Sequence, residues 1–188
     1  PPLLAYLDID KPSISPEEPR TLALEIIRQL VVQEPELYNA GQEAIRMIRS
    51  YARQVSSKLE ARHSQSIGNL GSRALVSIMS NLLNQAVFLK NRVVLIVDTF
   101  EEAQVFGETI ASDILILMKA LSSRSVKTVV AGRGLLTEHI RRRVGLSLSP
   151  IQITNLDPSS AYHFFRHLMK EFGVSLPDEV INEIVSIV

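Results

Sequence analysis

The sequence contains no cysteine, which excludes a disulfide framework, a thiolate metal site and cysteine-based catalysis while leaving the redox compartment open. Net charge is absent too, because 20 lysines and arginines balance 20 aspartates and glutamates. Such a chain has no overall field with which to hold a polyanion, so contact with nucleic acid or a membrane surface would have to be local. No apolar run approaches the roughly eighteen residues that span a bilayer. The opening Pro1-Pro2-Leu3-Leu4 carries no basic segment or small-residue cleavage site. These absences predict a soluble, cytoplasmic protein. The lack of an initiator methionine and the helical pattern still running at Val188 suggest an excerpt of something longer.

What is present is apolar: 46% of 188 residues, enough for one sizeable core with an appendage rather than two ordinary domains. Leu3 to Ile9 reads as a short buried strand ended by Asp10-Lys11-Pro12. From Thr21 to Gln33, Leu22, Ile26, Ile27, Leu30 and Val31 recur at helical spacing, with Pro19 near the start and Glu34-Pro35 at the end. Gln42 to Leu59 predicts a second amphipathic helix with a wet outer face. Ser56 to Ser72, rich in Ser, Gly and Asn, reads as a flexible connection before helical pattern resumes from Arg73 to Phe88.

Val93 to Val97 is an apolar, mostly β-branched run, the pattern of a strand covered on both faces, and Val126 to Ala131 repeats it before Gly132-Arg133-Gly134. Between them, Ala103 to Leu121 places Phe106, Ile110, Ile114, Leu117 and Leu121 on one helical stripe, long enough for a right-handed crossover between parallel strands. A weaker fourth strand, Ile151 to Leu156, leads to Asp157-Pro158, a good N-cap and first helical residue. Ala161, Phe164, Phe165, Leu168 and Met169 follow as an apolar stripe, Gly173 closes that helix, and a further helix begins at Leu176-Pro177-Asp178. The expected architecture is an open α/β domain with a mostly parallel sheet over residues 1–156, including a helical, partly flexible segment 42–90, and a helical appendage over 157–188.

In such sheets ligands bind outside the carboxyl ends of the strands. The expected strands finish there in Asp8 and Asp10, in Asp98 with Glu101 and Glu102, and in Arg133. An acid directly after a buried strand suits magnesium, which keeps most of its waters and takes one or two carboxylates. A second acid could orient an attacking water, and an arginine could stabilise charge on a transferred phosphate. The competing reading is capping, since Asp98 to Glu102 precedes a helix whose positive end favours acids. Asp8 and Asp10 admit both a metal and a turn reading. His163 and His167, four apart, lack the intervening glutamate of a zinc protease helix and read as a solvated face. Arg141-Arg142-Arg143 could meet phosphate, but a surface helix face is the stronger reading in a neutral chain.

Val93 to Glu102 resembles the Walker B strand of P-loop NTPases, and the form Asp98-Thr99-Phe100-Glu101-Glu102 is similar to that of the STAND branch, signalling relatives of AAA+ ATPases. Val129-Val130-Ala131-Gly132-Arg133 resembles the next family strand with its sensor arginine. Ile151 to Phe165 resembles the following strand and the start of a helical lid, and Tyr6 to Asp10 the strand after the phosphate loop. The resemblance implies a three-layer fold binding ATP and Mg2+. In it Asp98 holds magnesium through water, Glu101 or Glu102 positions the attacking water, and Arg133 senses the γ-phosphate. It also implies a switch protein whose helical appendage reports nucleotide state, with protein partners or self-association; a nucleic-acid-handling ATPase is the weaker option in a neutral chain. One departure is large: no Gly-x-x-x-x-Gly-Lys-Ser/Thr occurs in the sequence, so the nest and lysine that hold the phosphates are missing. In the family the loop follows a first strand lying between the fourth and fifth. The expectation is therefore that an upstream segment supplies both, that these residues alone are inactive, and, alternatively, that the chain is an interaction module keeping the fold without nucleotide.

Overall fold

A computed structural model describes residues 1–59, 67–133, 136–145, 151 and 156–187, with side chains undescribed at 52–72 and 187. They fall into two compact units, Pro1–Leu146 and Ser147–Val188; the sequence reading placed this division after residue 156.

In the first unit β1 (Leu3–Asp8), β2 (Val93–Asp98) and β3 (Val126–Val130) form a parallel sheet in that order. The register pairs Leu3 with Val93 and ends on Asp8 opposite Asp98, while Val93 pairs with Val126 and Val97 with Val130. The helices are α1 (Pro19–Gln33), α2 (Tyr38–Leu59), α3 (Ile67–Lys90), α4 (Phe100–Val105), α5 (Glu108–Leu121) and α6 (Glu138–Val144), with a 3₁₀ turn at Pro35–Leu37. An α/β fold with a parallel sheet is thus what the chain adopts.

One face of the sheet carries the core. Ala5, Leu7, Val93, Leu95 and Val97 are fully buried with Leu22, Ile26 and Leu30 of α1, Met79, Leu82 and Leu83 of α3, and Ile114, Leu115 and Met118 of α5. The other face is open among the described residues: Leu4 is 42%, Tyr6 38% and Val129 49% exposed. The expectation of a strand covered on both faces, and with it a third layer, is not met there. Five consecutive apolar residues supply an apolar side chain to either face whether or not anything covers it.

The outer edge of β1 is sealed by side chains. Leu4 and Tyr6 turn their backbone groups away from β2, and Gln33 and Gln29, one turn apart on α1, pair with them through their amides. An unpaired strand edge is a template for adventitious pairing, and covering it removes that hazard.

Two further elements depart from the sequence reading. The expected single helix from Ala103 is broken at Gly107, whose φ of 124° leaves the helical region. Phe106, placed by periodicity on the buried stripe, is 50% exposed at that break. Of the expected flexible connection from Ser56 to Ser72, α2 reaches Leu59 and α3 begins at Ile67, while residues 60–66 lie outside the described residues. Gly and Ser within a helix cost only about 0.5–1 kcal/mol each, and α3 is anchored by the buried Met79, Leu82, Leu83 and Ala86.

The second unit holds α7 (Pro158–Glu171) and α8 (Asp178–Ile187). Asp157 caps α7 as expected, its carboxylate accepting the N–H groups of Ser159 and Ser160, and Gly173 ends the helix at φ 67°. Hydrogen bonds from the Ser160 hydroxyl and from those amides hold the Asp157 carboxyl below its ordinary range. Of the expected fourth strand, residues 152–155 lie outside the described residues, and Ile151 and Leu156 belong to no strand.

Candidate functional site

Because the three strands are parallel, their carboxyl ends share one rim, and the sequence-predicted residues gather there. Asp8 and Asp98 are register partners at the ends of β1 and β2. Both are half-buried, on the same face as Tyr6 and Ile96. Directly after β3 comes Ala131, whose N–H donates to the Val97 carbonyl at 2.8 Å and whose carbonyl accepts from the Phe100 N–H at 3.1 Å. Gly132 and Arg133 follow.

Thr99 joins the two acids. It sits in the left-handed region at φ 57°, ψ 39°, a strained conformation for a β-branched residue. Its N–H donates to Asp98 Oδ1 at 2.9 Å and its hydroxyl to Asp8 Oδ1 at 2.8 Å. The Tyr6 hydroxyl donates to Asp98 Oδ2. That bond, with burial and the charges of Asp98 and Asp8, raises the pKa of the phenol, which stays protonated at neutral pH. Each Asp98 oxygen thus accepts one protein hydrogen bond and keeps further acceptor capacity.

Neither simple capping nor a ready-made active site describes the acidic run. Glu101 and Glu102 lie in the first turn of α4, and no side chain caps that helix at Thr99. The Glu101 carboxylate instead accepts the Arg133 N–H at 3.0 Å, with the Arg133 Nε 3.7 Å from its other oxygen. Glu101 therefore staples the loop after β3 to the start of α4. Gly132 permits this approach: a Cβ there would stand 2.8 Å from Glu101 Oε2 and 3.2 Å from the Phe100 backbone nitrogen. The Arg133 side chain is 96% exposed. Glu102 is half-buried, and its N–H donates to the Thr99 carbonyl.

Comparison of the chain with protein-family models, with curated proteins and with solved structures finds no match. The site therefore has to be read from its own chemistry. Among the described residues no group of three or more His, Cys, Asp or Glu side chains could hold a metal ion. The two carboxylates at the rim suit only an ion that keeps most of its water shell, as magnesium does. Asp10 does not join them: it is exposed and donates its N–H to Asp8 Oδ1 at 3.2 Å, the turn arrangement.

Elsewhere the plainer readings hold. His163 and His167 are exposed on α7. On α6, Arg142 pairs with Glu138 and Arg143 with Asp113. Lys119 of α5 donates to the carbonyls of Val144 and Gly145, each at 2.9 Å, and so caps α6. Among the described residues no helix is long and apolar enough to cross a membrane.

Tyr6 and Thr99 are the site residues that the sequence reading passed over. Alternation puts Tyr6 on the face of Asp8 two residues away. Its link to Asp98 required the β1–β2 register, which spans roughly ninety residues and leaves no local signal.

Proposed function

We propose that the chain is the part of a P-loop-type nucleotide-binding domain that follows the phosphate loop, of the AAA+/STAND kind. It would serve ATP binding and hydrolysis in a cytoplasmic switch protein. The observation that carries this reading is the placement of Asp98 at the carboxyl end of the central parallel strand. Asp8 stands beside it, and Glu101, Glu102 and Arg133 follow on the same rim. In this reading Asp98 holds magnesium through water, Glu102 positions the attacking water, and Arg133 meets the γ-phosphate. The binding of Glu101 to the Arg133 N–H favours Glu102 for the water. Among the described residues no strand pairs with the outer edge of β3, and there a strand carrying the phosphate loop would pair, supplied by a segment outside these residues.

The test is titration of labelled ATP, with and without magnesium, against the full-length protein. Asp98→Asn should weaken magnesium-dependent binding about tenfold or more, and Glu102→Gln should slow turnover while sparing binding. Binding indifferent to magnesium and to Asp98→Asn would remove the reading.

A second reading is an interaction module that keeps the fold without nucleotide. It is favoured by the absence of a Gly-x-x-x-x-Gly-Lys-Ser/Thr sequence and by the use of Glu101 as a loop staple. Absence of ATP binding by the full-length protein would leave this reading standing.

A further inference from the structure

Resting on the nucleotide-binding reading above, the geometry points to Tyr6 as a positioning residue for Asp98, one that fixes the carboxylate for a magnesium water shell through its hydroxyl.

Tyr6 is held at three points. Its backbone N–H and carbonyl pair with the Gln29 amide at 2.8 and 2.7 Å. Its ring lies 5.6 Å from the Lys11 ammonium, within cation–π range. Its hydroxyl donates to Asp98 Oδ2. The tyrosine is thus a rigid arm that starts on the sealed edge of the sheet and ends on the central strand.

A carboxylate that must accept hydrogen bonds from metal-bound water works best with its oxygens already aimed. Asp98 has one donor on each oxygen: Thr99 N–H on Oδ1 and the Tyr6 hydroxyl on Oδ2. Together they fix the plane of the carboxylate and leave the remaining lone pairs for water at the rim. Thr99 cannot do this alone, because a single donor leaves the group free to swing about that bond. Asp8 cannot take the place of Tyr6, since a carboxylate has no hydrogen to donate to Asp98. Tyr6 touches neither nucleotide nor metal in this scheme and acts through Asp98.

The experiment uses the full-length protein and measures labelled-ATP affinity across a magnesium series for wild type, Tyr6→Phe, Tyr6→Met and Asp98→Asn. Phenylalanine keeps the ring under Lys11 and loses only the hydroxyl. Methionine is the second hydroxyl-free variant should the first not fold. The expected result is a rise of about tenfold in the magnesium concentration for half-maximal tightening in both Tyr6 variants. ATP affinity without magnesium should stay at its wild-type value. A wild-type magnesium curve in the Tyr6 variants, with the dependence lost in Asp98→Asn, overturns the positioning role and leaves the site reading intact. Equal weakening with and without magnesium also overturns it, since that marks a packing role. Wild-type behaviour of Asp98→Asn removes the site reading, and the role of Tyr6 falls with it.

Discussion

Gln29 holds Tyr6 by both of its backbone polar groups, accepting from the N–H through Oε1 and donating to the carbonyl through Nε2. One turn later Gln33 does the same for Leu4. The two glutamines stand where a neighbouring strand would be, and this geometry needs an amide, because a carboxylate cannot donate and an ammonium cannot accept. Gln29→Ala and Gln33→Ala should each destabilise the protein by about 1–3 kcal/mol, from the two lost bonds to β1 and a third within α1, at about 1 kcal/mol or less each. Denaturant titration measures the loss. The double variant should also self-associate with rising concentration, read by light scattering, because its strand edge is then open.

Thr99 tests the balance between strain and hydrogen bonding. Thr99→Val keeps the β-branch in the left-handed region and loses the hydroxyl that reaches Asp8. It should cost about 1–3 kcal/mol, with the Asp8 carboxylate losing a partner. Thr99→Gly loses the same bond but relieves backbone strain of order 1 kcal/mol or more, so it should be the more stable of the two in urea denaturation. The reverse order would show that Thr99 is not strained.

At Gly132 the constraint is space. Gly132→Ala places a methyl group against the Glu101 carboxylate and the Phe100 backbone, and the backbone cannot give way as a flexible side chain would. A loss of about 1–3 kcal/mol is expected from overpacking. Faster amide exchange at Arg133 should accompany it, since its N–H depends on Glu101 staying in place.

Glu34 and Lys90 give the fold a pH signature away from the candidate site. The carboxylate, only 8% exposed, lies 2.6 Å from the ammonium at the end of α3. The bond to Lys90 lowers the pKa of Glu34, and the same bond raises that of Lys90. A depressed acid stabilises above its unfolded pKa and loses that contribution as pH falls through its folded value. A raised lysine stabilises below its unfolded pKa and loses its contribution as pH rises through its folded value. Urea midpoints of wild type should therefore exceed those of Glu34→Gln at neutral pH. The gap should close on acidification through the depressed carboxyl range, and again in alkali above the ordinary lysine range. A gap that ignores pH would show that the pair contributes by packing alone.

The parts of this architecture that were legible in the sequence rest on local chemistry. β2 and β3 stand out because β-branched apolar runs are bounded by turn residues, and α7 is marked at both ends by Asp157 and Gly173. The crossover was legible as a helix but not as two, because the apolar spacing from Phe106 to Leu121 continues across Gly107 and only a backbone angle reveals the break. The sealed edge was not legible, since Gln29 and Gln33 look like any solvated helix face until β1 lies beside them. Nor was the open face of the sheet, because a sequence shows what a strand could bury and not what covers it. At the rim, Asp98 and Arg133 could be singled out by their position after strands, whereas the use of Glu101 as a staple depended on how close the loop after β3 comes to the start of α4.

The glutamine seal also bears on the order in which the chain assembles. Gln29 and Gln33 lie 23 and 29 residues from the groups they cover, whereas β1 meets β2 across roughly ninety residues. Closing the shorter loops is entropically easier and faster. The hairpin-like pair of β1 and α1 can therefore form while β2 is still distant, with one flank of the strand occupied and the other vacant. Were that pair to form first, β2 would have a single side on which to zip, and the order of neighbours in the sheet would follow from the loop lengths.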